Sequence, residues 1–254
     1  MIQNRLTNAL EKPKKFLSIY VTAGYPNLND TKTIVMDLEK NGVDFIELGM
    51  PFSDPMADGP IIQETSAQAL RNGMTLTLYF EQVKEIRKTS QIPLIFMGYY
   101  NQIMKFGIEK FYAKCSEFGI DGLIIPDLPI DEYKSMHQLL LAKYNLSFSF
   151  LITPNTSTER IRIIDQLTTG FIYVVSSNSI TGNTKELSKS VSNYLQKICD
   201  LNLISKKIVG FGIHDKDSFE LATFHTDGAI IGSAFLKSLS QNLRTSTFIQ
   251  SIKN

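Results

Sequence analysis

Residues 43–60 read VDFIELGMPFSDPMADGP. The run opens apolar, from Val43 to Leu48, and is short and bounded as a buried strand is. The loop after it is too rich in Gly, Pro, Ser and Asp to hold regular structure. In a regular pleat Val43, Phe45 and Glu47 share one face, and Asp44, Ile46 and Leu48 share the other. A carboxylate on a face with Val and Phe is costly to bury unless it is paired, hydrogen-bonded or protonated. The loop then delivers a second carboxylate, Asp58. One carboxylate at a strand end and one on the loop beyond it form a candidate acid–base pair. A plainer reading stands beside this one: a strand-end Glu can simply meet water, and a loop Asp can cap or turn.

Outward from this stretch the same alternation recurs. Phe16–Val21, Pro93–Met97, Gly122–Ile125, Leu146–Leu151, Phe171–Val175, Lys207–Gly210 and Gly228–Ile231 read as further strands. Helical periodicity lies between them, as in Ile61–Arg71, Thr75–Lys88, Ile108–Phe118, Asp131–Tyr144, Ser157–Leu167 and Asp215–Thr223. Asn29 or Asp30 can cap a helix through Leu38 that Gly42 ends. Residues 2–12 form an extra N-terminal helix stopping before Pro13, and Thr245–Ile252 a short closing one. Gly98-Tyr99-Tyr100-Asn101 reads as a turn, and Ser176–Lys189 as a long polar loop. Strand and helix alternate about eight times with short connections, which argues for right-handed βαβ units around a parallel sheet. In 254 residues this favours an α/β fold of one domain over 1–254, a single (β/α)8 TIM barrel with an extra N-terminal helix. No GxGxxG opens the first helix, which disfavours an open dinucleotide-binding sheet.

Composition narrows the function. Lys and Arg number 26 against 25 for Asp and Glu, so the net charge is +1 and nothing points to nucleic acid or an anionic membrane. No apolar run approaches the length that spans a bilayer, and MIQNRLTNALEKPKK is no secretory signal. Cys115 and Cys199 lack metal-ligand spacing and read as buried thiols in a reducing compartment. A cytoplasmic protein is expected, with a plastid stroma as an alternative if the chain is organelle-encoded.

In such a barrel, chemistry sits at the C-terminal strand ends. Those ends carry Thr22, Glu47, Asn101, Asp127, Thr153, Tyr173 and Ser176. Two glycine turns follow the last two strands, Gly210-Phe211-Gly212-Ile213 and Gly232-Ser233-Ala234. Phosphate is often held there by backbone N–H groups and a helix N-terminus, although glycines can also merely permit tight turns. A Schiff-base enzyme needs a lysine inside the barrel. Lys206 and Lys207 precede their strand and lie at the wrong end. His137, His214 and His225 read as surface or structural. No cluster has metal-ligand spacing, so no metal is expected. What remains is carboxylate acid–base chemistry.

The sequence resembles the tryptophan synthase alpha chain family. Phe45-Ile46-Glu47-Leu48-Gly49-Met50-Pro51-Phe52-Ser53-Asp54-Pro55-Met56-Ala57-Asp58-Gly59-Pro60 is similar to that family's signature nearly letter for letter. Tyr20-Val21-Thr22-Ala23-Gly24-Tyr25-Pro26, Pro126-Asp127-Leu128-Pro129, Thr181-Gly182 and the two glycine turns support it in family order over nearly the whole chain. The resemblance implies retro-aldol cleavage of indole-3-glycerol phosphate to indole and glyceraldehyde 3-phosphate. It implies Glu47 as the acid–base group and Asp58 as the group that holds the indole N–H. Tyr173 would line the site, and Gly182, Gly210, Gly212, Gly232 and Ser233 would form the phosphate end. Tyr20 and Ile125 would wall the flat ring. Thr181 would meet Asp58 as the loop Ser176–Lys189 closes. There the chain departs from the family, with Ser177-Asn178-Ser179-Ile180 where a Gly-Val pair is usual, which bears on closure rather than on the reaction.

The family further implies no cofactor in this chain and a beta chain partner that carries pyridoxal phosphate, in an α2β2 heterotetramer. The loop around Asp54 and Pro55 and the turn at Asn101 would face it. Two other readings remain open at this point. One is a different phosphate-binding barrel enzyme, which does not account for the Glu47–Asp58 spacing. The other is a non-catalytic subunit that only activates a beta chain.

Overall fold

Among the described residues nine strands, all parallel, form a barrel in the order β5-β4-β3-β2-β1-β9-β8-β7-β6. The structure, a computed structural model, describes residues 2–176, 184–210 and 212–253, and over 184–188 the backbone alone. The strands are β1 (Phe16–Thr22), β2 (Phe45–Gly49), β3 (Leu94–Met97), β4 (Gly122–Ile124), β5 (Ser147–Phe148), β6 (Leu151–Ile152), β7 (Ile172–Val175), β8 (Lys207–Gly210) and β9 (Gly228–Ile231).

The two ends of that order, β5 and β6, are separated in the chain only by Ser149 and Phe150. One continuous segment therefore pairs with β4 on one side and with β7 on the other, and so closes the ring. The single strand expected over Leu146–Leu151 is thus two pieces. The reason is local. Ser149 Oγ accepts from Phe171 N–H, and Phe148 O takes both Thr169 and Gly170 N–H, so a side chain and a turn replace regular ladder bonds between the two pieces.

Side chains alternate between two layers, as the pleat requires. Phe16, Tyr20, Phe45, Ile95, Ile124, Phe171, Tyr173 and Ile208 fill the barrel interior. Ile19, Val21, Ile46, Leu48, Leu94, Phe96, Val174 and Val209 pack outward against the helices. Val43, expected to share the inner face with Phe45, precedes β2 and belongs to the outer layer. Burial on both faces explains why these strands read as continuous apolar runs.

The N-terminal helix is shorter than expected, Arg5–Leu10. Asn4 caps it by accepting from Leu6 and Thr7 N–H, and Asn4 Nδ2 donates to Asp121 O at 2.7 Å. Leu6 and Leu10 join the interior cluster with Phe16 and Phe171, so the helix plugs the barrel at the end opposite the candidate site. Asp121, also at that end, is clamped by Arg5 and Arg87.

Four further expectations need correction. Gly98–Asn101 is not merely a turn: Tyr100–Phe106 is helical, with Tyr99 at its N-cap. Of the polar loop expected over Ser176–Lys189, the part from Thr184 onward belongs to a helix that runs to Asp200. The helix expected over Asp131–Tyr144 contains a π-turn at Tyr133–His137. Cys115 is buried, but Cys199 is exposed. His137 is structural, as expected. It is buried, with Nδ1 2.6 Å from the Tyr112 hydroxyl and Nε2 3.0 Å from that of Tyr100. Among the described residues no helix is long and apolar enough to cross a membrane.

Candidate active site

Glu47 sits on the inner face of β2, paired in register with Tyr20 on one side and Ile95 on the other. It is completely buried, and neither carboxylate oxygen hydrogen-bonds to any described residue. Desolvation disfavours the charged form, and burial pushes its pKa up to about 8. At neutral pH this carboxyl holds a proton it can donate.

Asp58 arrives by a different route. The loop after β2 has no regular structure, and Asp58 N–H donates to Pro55 O while Gln63 Nε2 donates to Asp58 O. The carboxylate is fixed by Tyr99, whose hydroxyl donates to Oδ2 at 3.0 Å. Burial raises the Asp58 pKa to about 6, and the Tyr99 hydrogen bond opposes that rise. The two carboxyls thus differ in a useful way near pH 7: Asp58 is mostly ionised and Glu47 mostly neutral.

A cleft at the C-terminal strand ends is lined by Tyr20, Asp58, Gly59, Ile62, Met97 and Tyr173 and, toward the last two strands, by Gly212, Ile213, Ile230, Gly232 and Ser233. Two glycines shape it from below. The Tyr20 ring lies across Gly49, and the Tyr173 ring across Gly210, so closely that a Cβ on either glycine would overlap the phenol. Each tyrosine is thereby laid diagonally over the next strand. Gly210 lies beneath Tyr173 and is not among the residues that line the cleft.

The cleft end near Gly212 suits an anion. Gly212 has φ +77, a left-handed conformation that glycine tolerates best. Gly232 precedes the helix Ser233–Ser240, which among the described residues has no side-chain cap, and the first N–H groups of such a helix suit an anion. The structure thus brings Glu47, Asp58, Tyr20, Tyr173, Gly212, Gly232 and Ser233 to one end of the barrel. Ile125 instead packs in the outer layer. Thr181 and Gly182, with Ser177–Ile180, lie outside the described residues. Sequence reasoning missed Tyr99, Ile62, Met97 and Ile230. The signal for Tyr99 was its position directly after a strand, at the end where the site forms.

The arrangement can offer a proton from a dry carboxyl, balance a positive charge with a second carboxylate, and hold a flat ring between apolar and aromatic walls. Comparison with known proteins agrees. The family model described as "Tryptophan synthase alpha chain" matches residues 6–252. The Flavobacterium psychrophilum protein named "Tryptophan synthase alpha chain" is 57% identical over 239 residues, 94% of each chain. That of Christiangramia forsetii, with the same name, is 52% identical over 252 residues, 98% of each. The solved tryptophan synthase subunit alpha of Legionella pneumophila superposes with a TM-score of 0.86 at 33% identity, over 99% of this chain and 97% of that one.

Proposed function

We propose that Glu47 and Asp58 carry the reaction of this chain, which belongs to the tryptophan synthase alpha chain family. The family's reaction is a lyase step, cleavage of indole-3-glycerol phosphate to indole and glyceraldehyde 3-phosphate. The observation that carries the assignment is the Glu47 carboxyl, fully buried, without a hydrogen-bond partner among the described residues and held neutral near pH 7.

The steps balance on these two groups. Neutral Glu47 donates its proton to the indole ring carbon that bears the glycerol chain. The ring becomes cationic, and ionised Asp58, bound to the indole N–H, stabilises that charge. Glu47, now a carboxylate, takes the proton of the adjacent glycerol hydroxyl. The carbon–carbon bond breaks, its electron pair returns to the ring, and the hydroxyl carbon becomes the aldehyde. Glu47 ends protonated, ready for another turn. Tyr20 and Tyr173 flank the ring, and the backbone at Gly212, Gly232 and Ser233 takes the phosphate. Thr181 and Gly182 belong to the same reading through the family resemblance.

Residues 1–254 act in this reading as one barrel domain without a cofactor of its own. The designation of its relatives as an alpha chain or subunit supports a second subunit. We assign that role to a beta chain in an α2β2 assembly, carrying pyridoxal phosphate and condensing the indole with serine. Indole release by wild-type protein and Glu47→Gln, each alone and with a beta chain added, tests the whole. Loss of cleavage by roughly 100-fold or more in the variant, with beta-chain activation retained, is expected. Retained cleavage removes Glu47 from the mechanism.

A further inference from the structure

We propose that Tyr99 is a positioning residue for the cleavage, its hydroxyl holding the Asp58 carboxylate and the loop that carries it where the indole N–H must bind. This rests on the reading of Asp58 given above.

The loop from Pro51 to Asp58 cannot place a carboxylate by itself. It has no ladder bonds and no helix, and Ser53, Asp54, Met56 and Ala57 are exposed. Its fixed points come from the segment that follows β3. Tyr99 is buried, and its ring stacks on Phe52 with centroids 5.1 Å apart. Gln102 Nε2 donates to Pro51 O at 2.9 Å, and Tyr99 N–H donates back to Gln102 Oε1. The Tyr99 hydroxyl then does two things at once. It accepts from Ala57 N–H and donates to Asp58 Oδ2, both at 3.0 Å. One phenol oxygen thus sets the backbone just before Asp58 and the side chain of Asp58 itself. Among the described residues only Oδ2 is engaged, so Oδ1 is left for a substrate donor.

The bond has a direction. A phenol that donates to a carboxylate favours its ionised form, and only that form can offset a positive charge on the ring. The other titratable groups facing Asp58 are Tyr20 and Tyr173, both buried phenols whose ionisation Asp58 opposes. Tyr99 is the one of the three that hydrogen-bonds to it among the described residues.

The test is Tyr99→Phe, which keeps the ring and its stack on Phe52 and removes one oxygen. Steady-state cleavage of indole-3-glycerol phosphate is measured across pH 5–9 beside Asp58→Asn. The expected result is a fall in kcat of roughly 10- to 100-fold with KM little changed, as for a lost hydrogen bond to a charged group. The acid limb of the profile also moves to higher pH. A merely structural role would leave that limb in place. A loss of rate with an unmoved limb, or a wild-type rate with Asp58→Asn inactive, overturns the proposal while the Asp58 reading stands. An active Asp58→Asn overturns both. Should Tyr99→Phe fail to fold, Gln102→Leu serves instead. It releases the loop at Pro51 but leaves the phenol bonded, and it is expected to keep the acid limb of the wild type. A shifted limb in that variant would overturn the proposal.

Discussion

Tyr20 stands opposite Glu47 in the register of β1 and β2, and its ring runs on across Gly49, two residues further along β2. The glycine is therefore part of how the wall above the acid is built. A Cβ at Gly49 would overlap the Tyr20 hydroxyl and ring carbons. Gly49→Ala is expected to push the ring into the cleft, raising KM and lowering stability by about 1–3 kcal/mol, the usual range for overpacking. Tyr20→Leu in the Gly49→Ala background, by shortening the side chain, is expected to recover part of that stability. Urea midpoints of the single and double variants check the coupling, and strict additivity would refute it.

The opposed states of the two carboxyls predict a bell-shaped dependence of kcat/KM on pH. Asp58 must be ionised, so activity is lost as pH falls through about 6. Glu47 must be neutral in the free enzyme, so activity is lost as pH rises through about 8. Both limbs are readable from indole release between pH 5 and 9. The chain contains no tryptophan, so indole fluorescence is seen without an indole background from the protein. A rate still climbing above pH 9 would exclude a neutral Glu47 as the proton donor.

The anion end of the cleft predicts a different kinetic signature. Ser233 opens the helix Ser233–Ser240 and lines the cleft beside Gly212 and Gly232. Ser233→Ala is expected to raise KM for indole-3-glycerol phosphate roughly tenfold with kcat nearly unchanged, because the phosphate is bound equally before and during cleavage. Among the described residues a Cβ at Gly212 makes only ordinary contact, with Ser176 Oγ at 3.9 Å, but it strains a backbone at φ +77. That strain should cost about 1–2 kcal/mol. Inorganic phosphate should compete with substrate, and less well in both variants. Unchanged competition would move the phosphate elsewhere.

Much of this architecture was legible because burial on both faces leaves a plain trace. β2, β7 and β9 carry one charged residue between them, Glu47, and it stood out for that reason. The interruption at Ser149-Phe150 was not legible. LSFSFL keeps strand composition, and the break depends on where Gly170 and Phe171 bring their N–H groups. Tyr99 was hidden for a related cause. Its partners Phe52, Ala57 and Asp58 lie more than forty residues upstream, and no local period records such a contact. Tyr20 over Gly49 is likewise a cross-strand relation that exists only once the register is fixed.

The burial that makes Glu47 an acid should also be measurable as a cost to folding. Its carboxyl titrates near 4.5 when solvated and at about 8 in the folded chain. A group with a raised folded-state pKa contributes stability that is fully present below its unfolded value and is lost as pH rises through the folded one. Wild-type stability should accordingly decline between about pH 4.5 and pH 8 on account of this residue. Glu47→Gln keeps the shape without the titration, so its stability relative to wild type should grow across that window. At about 1.4 kcal/mol per pH unit the gain is bounded near 5 kcal/mol. Asp58 titrates in both proteins and largely cancels in the comparison. Thermal or urea unfolding of the pair at pH 5 and pH 8 decides the matter. A stability difference that does not change with pH would mean that Glu47 is already ionised in the folded chain, and the acid would have to be sought elsewhere.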